Sequence, residues 1–239
     1  MTYNILHCAP FFGPGNYGTP DVGNVAKVLK ARNADVVLLQ EVDSCTKRSL
    51  GVHQAKELAR LAGYPYWHYF KQKEYGGGSY GAGMLSKYPL RDIVNHPLPR
   101  TVQSTPVTGS NILGSARVTI KGTAVTVATV HLSAKNTERT LQFPYMLQAL
   151  DGLEAPVILG GDFNSRPDSD IIAALDGDGF ERTNHDPTKF TIPSTAPKSE
   201  LDYLCFKPAK AFEVVSHTVF TGTVVSDHLP VLAVLKSVN

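Results

Sequence analysis

The chain predicts an α/β fold arranged as a layered sandwich with helices on the outside. Three observations carry this. Short runs rich in Val, Ile and Leu, bounded by Gly, Pro, Asn and Asp, recur along all 239 residues. Several of them, Val36-Val37-Leu38-Leu39, Thr126-Val127-Ala128-Thr129-Val130 and Val157-Ile158-Leu159, are apolar throughout rather than alternating, so both faces of those strands need cover. Between the runs lie segments with helical spacing.

In chain order, strands are expected at Thr2–Leu6, Val36–Val42, Gly83–Ser86, Ser115–Ile120, Ala124–Leu132, Val157–Leu159, Leu201–Phe206, Ala211–Ser216 and Leu229–Leu235. Ile120-Lys121-Gly122-Thr123 joins two of these as a tight hairpin. Val22, Val25, Ala26 and Leu29 fall at i, i+3, i+4 and i+7, with Asp21 placed to cap that helix. Ala55, Leu58, Ala59 and Ala62 repeat the spacing up to Gly63, a helix-ending residue. Asp168 is expected to cap a third helix through Ile171, Ile172 and Leu175. A fourth covers Arg139–Leu150 although Pro144 falls inside it. No repeat or low-complexity linker divides the chain, so residues 1–239 are expected to form a single domain.

Composition excludes several classes. A hydrophobic share of 42% with 18% charged residues supports a packed core rather than disorder. No apolar run approaches the ~18 residues of a membrane helix. Three cysteines without a CxxC pair make neither a zinc ribbon nor a disulfide framework, and Cys8 and Cys45 are expected to be small buried hydrophobes. Formal net charge is +2 with Lys and Arg scattered, so no basic stripe marks a nucleic-acid groove. Met1–Leu6 reads as a strand with no basic n-region, hence no signal peptide in the given chain. A chain opening on a strand leaves room for an upstream segment, and the compartment stays open.

The functional signal is positional: apolar runs end on polar residues that could not lie within them. Val36–Leu39 leads into Gln40-Glu41, Thr126–Val130 into His131, and Val157–Gly161 into Asp162-Phe163-Asn164. The first strand carries Asn4, Asp202 interrupts Leu201–Phe206, and Ser226-Asp227-His228 precedes the last strand. Carboxylates at the mouths of core strands require a compensating cation or donor. Asp162 and Asn164, two apart, would share a side if extended, although an Asx turn fits the same residues. Asp227 and His228 can face one site only from a turn, and Pro230 suits a turn entering a strand. Taken singly, each residue has a plain structural explanation; their co-occurrence in this order is the signal.

Thr2-Tyr3-Asn4-Ile5, Leu39-Gln40-Glu41-Val42, Tyr80-Gly81-Ala82-Gly83, Thr129-Val130-His131-Leu132, Gly160-Gly161-Asp162-Phe163-Asn164, Leu201-Asp202-Tyr203 and Ser226-Asp227-His228-Leu229-Pro230 together resemble the endonuclease/exonuclease/phosphatase superfamily over nearly the whole chain. Arg139 and Gln142 resemble a recurring helix pair of that family. The resemblance implies a four-layer sandwich, two mixed β-sheets between helices, with the site where strand ends meet, and metal-dependent hydrolysis of phosphoesters. Hard oxygen donors suit Mg²⁺ or Mn²⁺. Glu41 would be the first metal ligand with Asn4 beside it, Asp227 would join, and a second divalent metal has room. Asp162 would be the general base and Asn164 would bond the phosphate or the water. His131 and His228 would stabilise the phosphoryl oxygens, with Asp202 orienting His228. The choice of Asp or His as base stays open. Tyr80 and Arg117 are the substrate-facing candidates, although Ser115 departs from the glutamate many relatives carry two residues before that arginine. The substrate, whether nucleic acid, lipid head group or small phosphate ester, is left open, and a monomer is expected.

Two alternatives compete: a catalytically inactive binding module on the same fold, and a serine hydrolase using Ser79. Gly77-Gly78-Ser79-Tyr80-Gly81 matches G-x-S-x-G, but a nucleophile elbow needs a buried strand before the serine and a helix after it. These glycines read better as a flexible loop beside the cleft.

Overall fold

A computed structural model describes residues 1–102 and 105–238. The first half of the chain runs β1 (Thr2–Asn4), β2 (Phe11–Gly13), β3 (Asn16–Tyr17), α1 (Val22–Arg32), β4 (Val36–Ser44), α2 (Gln54–Ala62), β5 (Tyr66–Tyr75), β6 (Gly78–Ser86) and β7 (Arg91–Val102). It continues with β8 (Thr105–Ile120), β9 (Thr123–His131), α3 (Asn136–Asp151), β10 (Val157–Asp162), α4 (Asp170–Gly177), β11 (Glu181–Arg182), β12 (Asp202–Lys207), β13 (Phe212–Val219) and β14 (Val231–Ser237). Two six-stranded sheets result, ordered β13-β14-β1-β4-β6-β5 and β11-β12-β10-β9-β8-β7.

Burial sorts the chain into four layers. Tyr3, Val37, Leu39 and Leu85 pack with α1 and α2 on one outer face. Ala128, Val130, Leu159 and Cys205 pack with α3 and α4 on the other. Leu38, Phe70, Met84, Val127 and Leu204 fill the space between the sheets. Neighbours along β4 thus alternate between the middle and an outer core, which is why its run is apolar at every position. Gly160 lies where the sheets approach closely: a Cβ there would stand 2.6 Å from Leu204 Cδ2 on the neighbouring strand and 2.9 Å from Leu38 Cδ1 on the facing sheet.

Local chemistry explains most element ends. Asp21 caps α1 by accepting from the Asn24 amide, and Gly63 ends α2 at φ +82°. The expected hairpin pairs Ile120 with Thr123 across Lys121 and Gly122, both at positive φ. Elsewhere the expectations need correction. The third expected helix is capped by Ser169, not Asp168. The fourth expected helix, by contrast, does form and runs through Pro144, because Phe143, Met146 and Leu150 bury its face and outweigh the lost bond. Tyr66–Tyr75 and Arg91–Val102 were not anticipated as strands; each forms a sheet edge, where polar residues and, in β7, Pro97 and Pro99 are tolerated. The glycines near residue 77 form the tight two-residue β5–β6 turn rather than a flexible loop. Ser79 lies on β6, bonded to the Tyr69 hydroxyl, so the strand–turn–helix of a nucleophile elbow is missing. Cys45 is exposed, whereas Cys8 is buried as expected. Among the described residues, no helix is long and apolar enough to cross a membrane.

Gly160→Val is expected to lower the urea midpoint with an unchanged m-value, by about 1–3 kcal/mol, because its branches meet packed side chains of both sheets.

Candidate phosphoryl and metal site

β1 and β4 run parallel, as do β9 and β10, so Asn4, Glu41, His131 and Asp162 arrive together at carboxyl ends of strands. Asp162 is in register with His131 on β9 and Asp202 on β12. The turn before β14 delivers Asp227 and His228, as their adjacency required. Ser226 Oγ fastens that turn by donating to the Asn4 carbonyl (2.7 Å) while accepting from the His228 amide (3.3 Å).

The centre is the Asp162 carboxylate, buried at 1% exposure. Its Oδ2 accepts from Asn4 Nδ2 (3.1 Å) and faces the Nε2 atoms of His131 (3.5 Å) and His228 (3.7 Å). Its Oδ1 accepts from the Asn164 amide (2.8 Å), which fixes the rotamer. Asn4 Nδ2 also reaches Glu41 Oε1 (3.2 Å), tying both carboxylates to one amide. Behind His228, Nδ1 bonds Asp202 Oδ2 at 2.7 Å. Burial alone would discharge that imidazole, but Asp202 and Asp162 outweigh it and hold its pKa up at about 10. Burial pushes the Asp202 carboxyl up, and His228 opposes this. Asp227 is raised by burial, with Glu41 adding to it and His228 opposing.

Glu41 owes its position to a bulge. The β4–β6 register breaks between Leu39 and Val42, and Glu41 itself adopts φ +56°. Gln40 meanwhile turns into the sheet interface and bonds Thr2 and Thr129. His131 is held by a relay that starts from Gln142, one of the helix pair singled out by resemblance, and adds Asn111, which no pattern announced: Gln142 Nε2 donates to Asn111 Oδ1, and Asn111 Nδ2 donates to the His131 carbonyl. Arg139 caps the neighbouring loop by donating to the Ser133 and Ala134 carbonyls.

Two placements, those of Asn4 and Arg117, differ from expectation, and that of Asn164 takes the Asx turn of its two expected forms. Asn4 turns its amide NH₂, not its oxygen, toward the carboxylates, because its Oδ1 accepts the Leu6 amide where the chain enters a left-handed turn; in this orientation it is a donor rather than an oxygen ligand. Asn164 does not extend beside Asp162: it takes φ +49°, makes the Asx-type turn and spends a side-chain N–H on the Leu132 carbonyl. Arg117 is not brought to the site. It pairs with Glu154 (2.8 Å) and is in register with Thr126, five residues from His131 along β9. Tyr80 lies across from Asp43 on β4; burial, then Glu41, pushes its hydroxyl pKa up, while Arg48 opposes this.

The sequence reading missed the pair beside Tyr80. Asp43, fully buried, binds Arg48 through two bonds, to Nε (2.7 Å) and Nη2 (2.8 Å), and accepts from Thr46. A carboxylate two residues beyond Glu41 inside an apolar strand was the available signal.

The donor set fits a hard dication. Glu41 stands close enough to Asp227 to add to the rise of the Asp227 carboxyl, an opposition that a cation between them would relieve. One atom from each of Asp162, Asp202 and His228 also falls within 4.8 Å of the others. That group is less suited to a metal, since a protonated imidazole already bonded to Asp202 has no lone pair to offer.

The model of the Endonuclease/Exonuclease/phosphatase family matches residues 1–228. No curated protein sequence matches the chain. Among solved structures, an endonuclease/exonuclease/phosphatase from Beutenbergia cavernae superposes with TM-score 0.80 at 24% identity, covering 99% of this chain and 70% of that one. A mannosyl-6-phosphatase from Bacteroides thetaiotaomicron gives 0.76 at 17% identity, covering 98% of each chain. The human Nocturnin catalytic domain with bound sulfate gives 0.70 at 20%, covering 91% and 87%. At these identities the likeness shows the fold.

In metal-free protein the His228 ring is expected to stay protonated through neutral pH and titrate near 10 by NMR, and Asp202→Asn to bring it down toward its ordinary ~6.5. Because the folded pKa is raised, this proton stabilises the fold fully below pH ~6.5, and the contribution is lost as pH rises through about 10.

Proposed function

The chain belongs to the endonuclease/exonuclease/phosphatase family, whose members hydrolyse phosphoester bonds, and we propose that it is itself a divalent-metal-dependent phosphoester hydrolase using Mg²⁺ or Mn²⁺. One observation carries this reading: a single buried carboxylate oxygen, Asp162 Oδ2, faces two imidazoles and an amide donor at the end of the sheets. A base beside hydrogen-bond donors is the arrangement in-line attack on a phosphoryl group requires. The reading takes residues 1–239 as one domain, supported by the site drawing on both sheets and by the core they share.

Glu41 and Asp227 would hold the ion. When bound, it supplies charge neutralisation at the phosphoryl oxygens. Asp162 accepts the proton of the attacking water. Asn4, donating to Asp162 and Glu41, keeps both carboxylates aimed. Asn164 fixes the Asp162 rotamer through its backbone N–H and leaves Oδ2 for the water. His131 and His228 donate from Nε2 to the non-bridging oxygens as charge develops, and Asp202 holds the His228 proton in place. The bond from His228 Nδ1 to Asp202 and the raised pKa of that ring favour Asp162 over the histidine as the base.

EDTA is expected to abolish turnover of bis(p-nitrophenyl) phosphate or p-nitrophenyl phosphate, and added Mg²⁺ or Mn²⁺ to restore it. Asp162→Ala and His228→Ala should each lower kcat by about 10²–10⁴-fold in circular-dichroism-verified folded protein. Full turnover in chelator defeats the metal, and near-normal rates in both variants defeat the site. An inactive module would show no activity and no calorimetric Mg²⁺ uptake sensitive to Glu41→Gln.

A further inference from the structure

The Asp43–Arg48 pair extends beyond what the hydrolytic centre uses. The segment after β4 folds back on itself, with Cys45 N bonded to Val52 O and Gly51 N to Thr46 O, and is stitched to the β5–β6 turn by Lys47 N to Gly76 O. This fixes Arg48 against two rings, its Cζ 4.4 Å from the centroid of Tyr75 and 5.7 Å from that of Tyr80. From the adjacent strand, Lys73 Nζ approaches the same rings at 6.0 and 5.1 Å. The two rings lie 6.4 Å apart.

Arg48 spends Nε and Nη2 on Asp43 but leaves Nη1 without a hydrogen bond among the described residues, and its side chain is 32% exposed. Lys73 is exposed and has no ion pair among the described residues. Both cations border Tyr80, whose hydroxyl also feels Glu41. Asp43 lies two residues beyond Glu41 on β4. Two cations on a rigid aromatic floor, one residue pair from a phosphoryl site, suit a fixed anion better than a neutral group.

We propose that Arg48 and Lys73, on the floor of Tyr75 and Tyr80, form a second anion subsite that binds a phosphate of the substrate other than the one being hydrolysed. The inference rests on the phosphoester reading above and selects within it: the preferred substrate carries two phosphates close enough to span from Glu41 to Arg48. Nucleotides and phosphorylated polyols both offer that chemistry.

Calorimetry on the Mg²⁺-loaded Asp162→Asn protein, which holds ligand without consuming it, tests the subsite directly. The ligands are thymidine 3′,5′-bisphosphate against thymidine 5′-monophosphate, and inositol 1,4-bisphosphate against inositol 1-monophosphate. In at least one pair the bisphosphate is expected to bind about tenfold or more tightly, and adding Lys73→Ala should reduce that preference about threefold, Arg48→Lys about tenfold. Lys236→Ala, removing a cation paired with Glu213 on β13 and β14, should leave it unchanged. A preference confined to one pair assigns a nucleotide or a polyol carrier. The proposal is overturned if neither pair shows a preference, or if Lys73→Ala and Arg48→Lys weaken both members of each pair equally, which would mark a bracing role. The preference is read whether or not the unsubstituted chain turns these compounds over, so a failed subsite and a failed hydrolase are separate results.

Discussion

The structure depends on one buried charge. Asp162 ends a core strand at almost zero exposure, where an unpaired carboxylate would cost several kcal/mol. Its compensation comes from four parts of the chain: the Asn4 amide, the His131 and His228 rings, and the Asn164 backbone. Each of these needs its own support. Asn4 is bonded by Leu6 and Ser226, His228 by Asp202, and His131's strand end by Asn111 and Gln142. The network thus links both sheets, and it explains why the polar residues of this interior concentrate at one end.

Backbone strain gathers in the same place. Leu6, His7 and Cys8, starting two residues after Asn4, all adopt positive φ, as do Glu41 in the β4 bulge and Asn164 after β10. For residues with a Cβ such conformations cost roughly 1 kcal/mol or more apiece. They persist because the sheets on either side are packed and in register, leaving the connecting residues no other path. The gain is aim: without its bulge, Glu41 would follow the strand's alternation instead of sharing the Asn4 amide with Asp162.

Hydrogen bonds to backbone, rather than side-chain identity alone, separate the roles within the motif. Asn4 and Asn164 are both amides beside Asp162, yet one donates its side chain to the carboxylates and the other donates its main chain, spending its side chain on Leu132. Arg117 and Arg48 are both arginines paired to a carboxylate, yet Arg117 meets Glu154 at the far end of its strand, while Arg48 stands beside Tyr80.

By itself the sequence determined the layered α/β class, two helix caps, the hairpin at Lys121-Gly122 and the set of strand-end polar residues. These are local matters: side-chain periodicity, a capping carboxylate and burial of an apolar run each depend on a few neighbouring positions. Only the tertiary structure decided the edge strands β5 and β7, the packing that carries α3 through Pro144, the orientation of Asn4, the distance of Arg117 and the pairing of Asp43 with Arg48. Edge strands and a proline-bearing helix are made by the surfaces they pack on, not by their own propensity. An amide's orientation and an arginine's partner are fixed by groups far away in the chain, whose separation in space no spacing along the sequence encodes.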